Sequence, residues 1–327
     1  MKKYLKIVVV FILIITCLAL TACTQTEKGE DQQHEKEQKT DDKEMVFSFE
    51  HPQTKQKFKI IHVNQLFYPY IEKVKGNPNL SPSEILELYN REIIQPIYKD
   101  CFENGEYFHM AETLLNTAPT RLTDLQVISE KMDNRKTEIN QIIQESLLKS
   151  ADLLPSQSDV AVCVFPYSIN NMLPFTAGAG KIILPYPSEM DSSIKLTVAH
   201  EYHHSVWAEK YFSKNEWSSV LDNIVFEGKA VMFGKSVYPD YGYTSTVLTY
   251  DKELWSKVEP DLNKYDSNRT SEILYGGKGL PSSYGYSEGY KMIKSYLDLN
   301  PNKTPEEWTA LSAKEIFEKG NYLENYK

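Results

Sequence analysis

The spacing of apolar positions changes several times along the chain, and each change predicts an element. Ile7 to Leu20 is an apolar run without a charge, behind Lys2, Lys3 and Lys6. Thr24 to Glu44 then carries no Val, Ile, Leu or aromatic residue, too little apolar surface to offset the entropy of ordering. Met45–Phe49 and Lys57–Val63 read as two strands joined at His51-Pro52, and from Gln65 the period turns helical. Ser81-Pro82-Ser83-Glu84 predicts a capped helix start before Ile85, Leu86, Leu88 and Tyr89. Helical spacing continues through Tyr107–Leu115 and Asp124–Lys149.

Asp159–Phe165 and Lys181–Leu184 are short unbroken apolar runs, the signature of buried strands. The small residues Thr176-Ala177-Gly178-Ala179-Gly180 lie between them. From Ile194 to Phe212 a helix is predicted by Ile194, Val198, Ala199, Val206, Trp207 and Tyr211, with Asp191 or Ser192 as its cap. No Gly or Pro falls between Ser188 and Gly228. Asn223–Ala230 is an apolar helical stretch, and two tail helices are predicted at Tyr286–Leu299 and Thr304–Glu318, separated at Asn300-Pro301. The expected fold class is α+β, a small mixed sheet with a mainly helical remainder.

Within the helix at 194–212 sits His200-Glu201-Tyr202-His203-His204, an H-E-x-x-H match. On a helix, residues four apart share a face, so His200 and His204 can grip one zinc ion while Glu201 serves as the base. His203 lies about 100° away from His204 around the helix, off the ligand face. A catalytic zinc site takes a third protein ligand. No His follows His204, so that ligand is expected among the carboxylates Glu209, Glu216, Asp222 and Glu227. Glu209 and Glu216 are expected to face solvent. Glu227 stands in an apolar stretch where an unpaired charge is costly and zinc would supply a partner.

Composition narrows the setting. The basic start, the apolar run and Leu20-Thr21-Ala22-Cys23 predict an export signal over 1–22, with a lipid on Cys23. Residues 23–44 are then a disordered tether, 45–155 a mainly helical N-terminal region, and 156–327 the domain that holds the motif. This places the protein on the outer face of a bacterial cytoplasmic membrane. The formal charge of −9 argues against nucleic acid or anionic lipid as a partner. Cys101 and Cys163 remain, free to pair in an exported chain.

HEYHH, then Glu227-Gly228-Lys229-Ala230, then Gly285-Tyr286-Ser287-Glu288-Gly289-Tyr290 resembles the YjaZ-like family of predicted zinc-dependent proteases, and the spacing looks like the gluzincin pattern. The similarity spans roughly Asp159 to Leu299. It implies a zincin-like fold, one zinc per chain, His200, His204 and Glu227 as ligands, Glu201 as base, and a peptide or protein substrate. It further implies a tyrosine donor for the oxyanion, for which Tyr286 is the choice among Tyr284, Tyr286 and Tyr290. Relatives often carry an Asp one turn after the ligand Glu, where this chain has Val231. A partner for a zinc histidine is then sought at Asp222, Asn223 or a backbone carbonyl. In such peptidases an edge strand pairs with extended substrate, so 176–180 is either that edge or a bend before a core strand. Gly276-Gly277-Lys278-Gly279 is either a lid or a flexible loop. An inactive zincin-like binding module, a zinc-trafficking lipoprotein and a non-peptidase zinc hydrolase stay open beside the peptidase.

Overall fold

Strand-forming runs separated by about a hundred residues of helix meet in one sheet. The computed structural model describes residues 45–166, 172–186, 193–212, 218–241 and 248–327. The expected signal, Cys23, the tether, the cap at Asp191 or Ser192, and Glu216 lie outside the described residues. The strands are β1 (Val46–Glu50), β2 (Lys57–His62), β3 (Val160–Pro166), β4 (Phe175–Gly178) and β5 (Lys181–Tyr186). Their spatial order is β1-β2-β3-β5-β4. β2, β3 and β5 are parallel, while β1 and β4 run antiparallel at the two edges. The architecture is α+β, mainly helical around a small mixed sheet, and the sheet draws strands from both sides of residue 156.

Every residue of β3 is buried, which explains why this strand reads as an unbroken apolar run. The pleat sends Val160, Val162 and Val164 into one hydrophobic core and Ala161, Cys163 and Phe165 into a second on the opposite face. The second core is built with the N-terminal helices Asn64–Gly76, Pro82–Tyr89 and Gln95–Cys101. Cys101 and Cys163 form a disulfide across it. Ser81 caps the helix start as expected, and does so in a capping box with Glu84. The helical run expected over Asp124–Lys149 is two helices, Leu122–Asn134 and Lys136–Leu153, parted at Arg135.

The first core carries the elements that matter for chemistry. The motif helix, Ser193–Tyr211, lies against β4 and β5. The ligand helix, Val220–Val237, starts at Ser219, whose hydroxyl and Asp222 form a second capping box. A third helix, Tyr284–Leu299, begins two residues before the expected Tyr286 and crosses the ligand helix. At the crossing Gly228 and Gly289 face each other so closely that a Cβ on Gly289 would stand 2.0 Å from the Ile224 carbonyl oxygen. The tail expected as one helix over Thr304–Glu318 is two, Pro305–Thr309 and Ala313–Lys319. Ser312 interrupts it by capping a new N-terminus, accepting from Glu315 N–H. No helix among the described residues is long and apolar enough to cross a membrane.

Candidate metal centre

His200 and His204 project from one face of the motif helix, as the four-residue spacing requires, and their Nε2 atoms lie 3.0 Å apart. Glu227, from the ligand helix, brings Oε2 to 3.2 Å from each of them. The three ligand atoms lie within 4.8 Å of one another. Two imidazole nitrogens and one carboxylate oxygen are a donor set suited to zinc, so the residues present fit that ion. Burial works against charge on Glu227, yet His204 and His200 hold its carboxylate well below the usual range. Burial likewise opposes the charged form of His200, and the Glu227 hydrogen bond with the nearby Glu201 charge outweighs it and raises that imidazole.

The other carboxylates are occupied elsewhere. Glu209, expected to face solvent, accepts from Ser156 Oγ and from the backbone N–H groups of Gln157 and Ser158, each at 3.0 Å. It therefore fixes the turn into β3. Asp222 accepts from Ser219 N–H and Oγ in the cap, and the Asn223 amide donates to the Ser219 carbonyl at 2.9 Å or less. Neither Asp222 nor Asn223 supplies the partner sought for a zinc histidine. Val231 is buried, and His204 Nδ1 is buried with no partner among the described residues.

Glu201 is 5 % exposed on the turn between the histidines. Thr176 of β4, a residue to which the sequence assigned no role of its own, donates its hydroxyl to Glu201 Oε2 and to the Glu201 carbonyl, each at 2.9 Å. Its signal was the small-residue run, where a lone hydroxyl stands beside glycines. One turn further along the helix, Gly180 N–H donates to Ser205 Oγ at 2.7 Å, so β4 and the turn after it run alongside the motif. Phe226, next to Glu227, stacks on the His204 ring at 4.1 Å and walls the site. Tyr286 is half-buried, its ring 6.2 Å from His200 and 6.1 Å from Tyr275. Burial, the charge of Glu227 and the Tyr275 hydroxyl keep the Tyr286 phenol well above its ordinary pKa, so it is a donor. Tyr284 is buried in the first core and Tyr290 half-buried, and no ring contact ties either to the two histidines.

His203 points away from the trio, as its angle on the helix requires. It stacks on Trp308, reaches Thr309 Oγ1 at 3.2 Å, and is held well below its ordinary pKa by burial. Gly276, Lys278 and Gly279 adopt positive φ in the loop before the third helix.

Residues 139–318 match the family model described as "Predicted Zn-dependent protease (DUF2268)". The chain is 28% identical over 163 residues to the "Uncharacterized protein YjaZ" of Bacillus subtilis (strain 168), covering 45% of this chain and 62% of that relative. No solved structure matches. HEYHH, E-G-K-A and G-Y-S-E-G-Y all fall inside the matched residues, and the chain belongs to this YjaZ-like family of predicted zinc-dependent proteases.

Proposed function

We propose that the protein is a zinc-dependent peptidase with a zincin-like centre, binding one zinc per chain through His200, His204 and Glu227. The observation that carries this is the convergence of two imidazole nitrogens and a carboxylate oxygen beside a buried carboxylate on the same helical turn. When bound, zinc supplies the Lewis acid that activates a water and polarises a peptide carbonyl. Glu201 takes the proton from the attacking water and passes it to the leaving amine. The Thr176 hydroxyl holds Glu201 Oε2, which leaves Oε1 for that proton. Tyr286, kept protonated, donates to the oxyanion.

The substrate is a peptide or an unfolded protein, met outside the cytoplasmic membrane by a chain tethered through lipid on Cys23. The Cys101–Cys163 disulfide supports that compartment, because such bonds persist where thiols are not kept reduced. His204 Nδ1, which has no partner among the described residues, favours one competitor, a zinc-holding module without turnover. Zinc content and cleavage of a denatured-protein digest, measured on wild type and Glu201→Gln, separate the two. Zinc in both chains with cleavage only by the wild type is the expected result. Zinc in both with cleavage by neither gives the binding module, and zinc in neither overturns the site.

A further inference from the structure

β4 is the last strand of the sheet, and through the Thr176 hydroxyl it holds Glu201, the neighbour of His200 in the metal trio. An extended peptide seeking backbone partners would use the outer edge of β4. Yet all four β4 residues are buried. The cover is the chain's own segment Gly105-Glu106-Tyr107, reached through a left-handed turn at Asn104. Tyr107 N–H donates to the Ala177 carbonyl at 3.0 Å, and Glu106 Oε2 accepts from Ala179 N–H at 2.8 Å. These are the outward backbone groups on which a further strand would pair.

The fit is close on both sides. A Cβ on Gly105 would stand 2.2 Å from the Ala177 carbonyl oxygen, and one on Gly178 would stand 2.6 Å from Glu106 N. The small residues of 176–180 therefore do admit a neighbouring backbone, and the neighbour is this strap. The disulfide at Cys101 anchors it four residues upstream. The Tyr107 ring lies edge-on to Phe212 at 5.4 Å and to Phe226 at 6.1 Å, and Phe226 is the ring stacked on His204. The Tyr107 hydroxyl is buried in this aromatic wall without a partner among the described residues. All three strap residues lie outside the family-matched segment 139–318.

We infer that Gly105–Tyr107 is a specificity-determining strap: it closes the β4 edge from Ala177 to Ala179 and restricts the cleft to short peptides or chain ends. A long peptide cannot run on along β4 past Thr176, because its hydrogen-bonding groups there are taken and Tyr107 stands across its path. This rests on the peptidase reading. It also predicts what that reading alone does not, a dependence on peptide length that the strap imposes.

The test is binding, independent of turnover. Zinc-loaded Glu201→Gln chain is compared with Glu201→Gln/Glu106→Ala/Tyr107→Ala by fluorescence anisotropy, using labelled peptides of about five and about fifteen residues sharing one sequence. The strap-intact chain should bind the long peptide no better than the short one. Loosening the strap should tighten the long peptide at least about tenfold relative to the short, because Glu106→Ala frees the Ala179 N–H and Tyr107→Ala removes the aromatic anchor that seats the residue-107 N–H on the Ala177 carbonyl. An equal ratio in both chains overturns the proposal, and so does absence of peptide binding by both. If the triple variant fails to fold, Glu201→Gln/Glu106→Ala frees the Ala179 N–H alone and should shift the ratio in the same direction; an unshifted ratio overturns the proposal. Failure of the peptidase reading appears separately, as absence of cleavage by Glu201-containing chains whether or not the strap is loosened.

Discussion

Replacing Gly289 by Ala sets two well-calibrated effects against each other. By helix propensity alone the change stabilises by about 1 kcal/mol, since Gly289 lies inside the helix Tyr284–Leu299. Packing opposes it. The added methyl would sit 2.0 Å from the Ile224 carbonyl oxygen and 2.8 Å from Gly228 Cα, both backbone atoms that no rotamer change can move aside. Restoring ordinary contact near 3.4 Å requires the two helices to part by about 1.4 Å. Overpacking of this kind costs about 1–3 kcal/mol or more. The net is a loss of up to about 2 kcal/mol, a fall of up to roughly 8 °C in the melting midpoint for a domain of this size. The same parting moves Glu227, the neighbour of Gly228, away from its 3.2 Å approach to His200 and His204, so zinc affinity should fall about tenfold or more. Thermal unfolding by circular dichroism and zinc competition with a chromogenic chelator measure the two effects. Gly76→Ala, with nothing within 4 Å of its Cβ, is the control and should be neutral or stabilising. A Gly289→Ala chain as stable as wild type, with unchanged zinc affinity, would refute the argument that this crossing sets the site.

Thr176→Val removes the hydroxyl held between the Glu201 carboxylate and carbonyl, and should lower peptide turnover about tenfold with zinc content unchanged. Cys101→Ala/Cys163→Ala should cost about 4 kcal/mol in urea unfolding by loop-closure entropy, since the bond spans 62 residues; a loss under about 1 kcal/mol would show that the entropy argument does not hold here. Burial pushes the Lys229 ammonium down to about 7, and a neutral amine keeps two N–H groups, one each for the Thr309 and Leu311 carbonyls. Between pH 7 and 10 the unfolded lysine binds more protons than the folded one, so this group makes stability rise with pH. Lys229→Met should flatten that slope in urea midpoints measured across the window, and a slope identical to wild type would count against it.

What could be read from residues alone was local. The motif helix followed from periodicity, and the capped start at Ser81 followed from a serine and a proline before an apolar run. Glu227 stood out because a charge in an apolar helical stretch needs a partner. What could not be read was set by distant partners. Nothing near Glu209 announces the turn at Ser156–Ser158 that it holds, and nothing in the Tyr107 stretch announces β4. The split at Ser312 lay within reach, since Ser312 precedes Glu315 by a capping interval, but the helical period of 304–318 masked it. Glycines 228 and 289 stood in the quoted motifs without a physical reason until the helix crossing supplied one.

The parallel ladder between β2 and β3 pairs Phe58 with Val160 and His62 with Val164, partners 102 positions apart. Such a ladder has high contact order, and the entropy of closing so long a loop must be met before any of its hydrogen bonds form. The central strand that both cores require is therefore absent from any nascent chain shorter than about half the protein. A polypeptide emerging from its N-terminus cannot settle into the native sheet before β3 has emerged. The cysteine pair that bolts Gln95–Cys101 to β3 can close only after Cys163 has arrived, so oxidation reports that β3 has joined the helical layer.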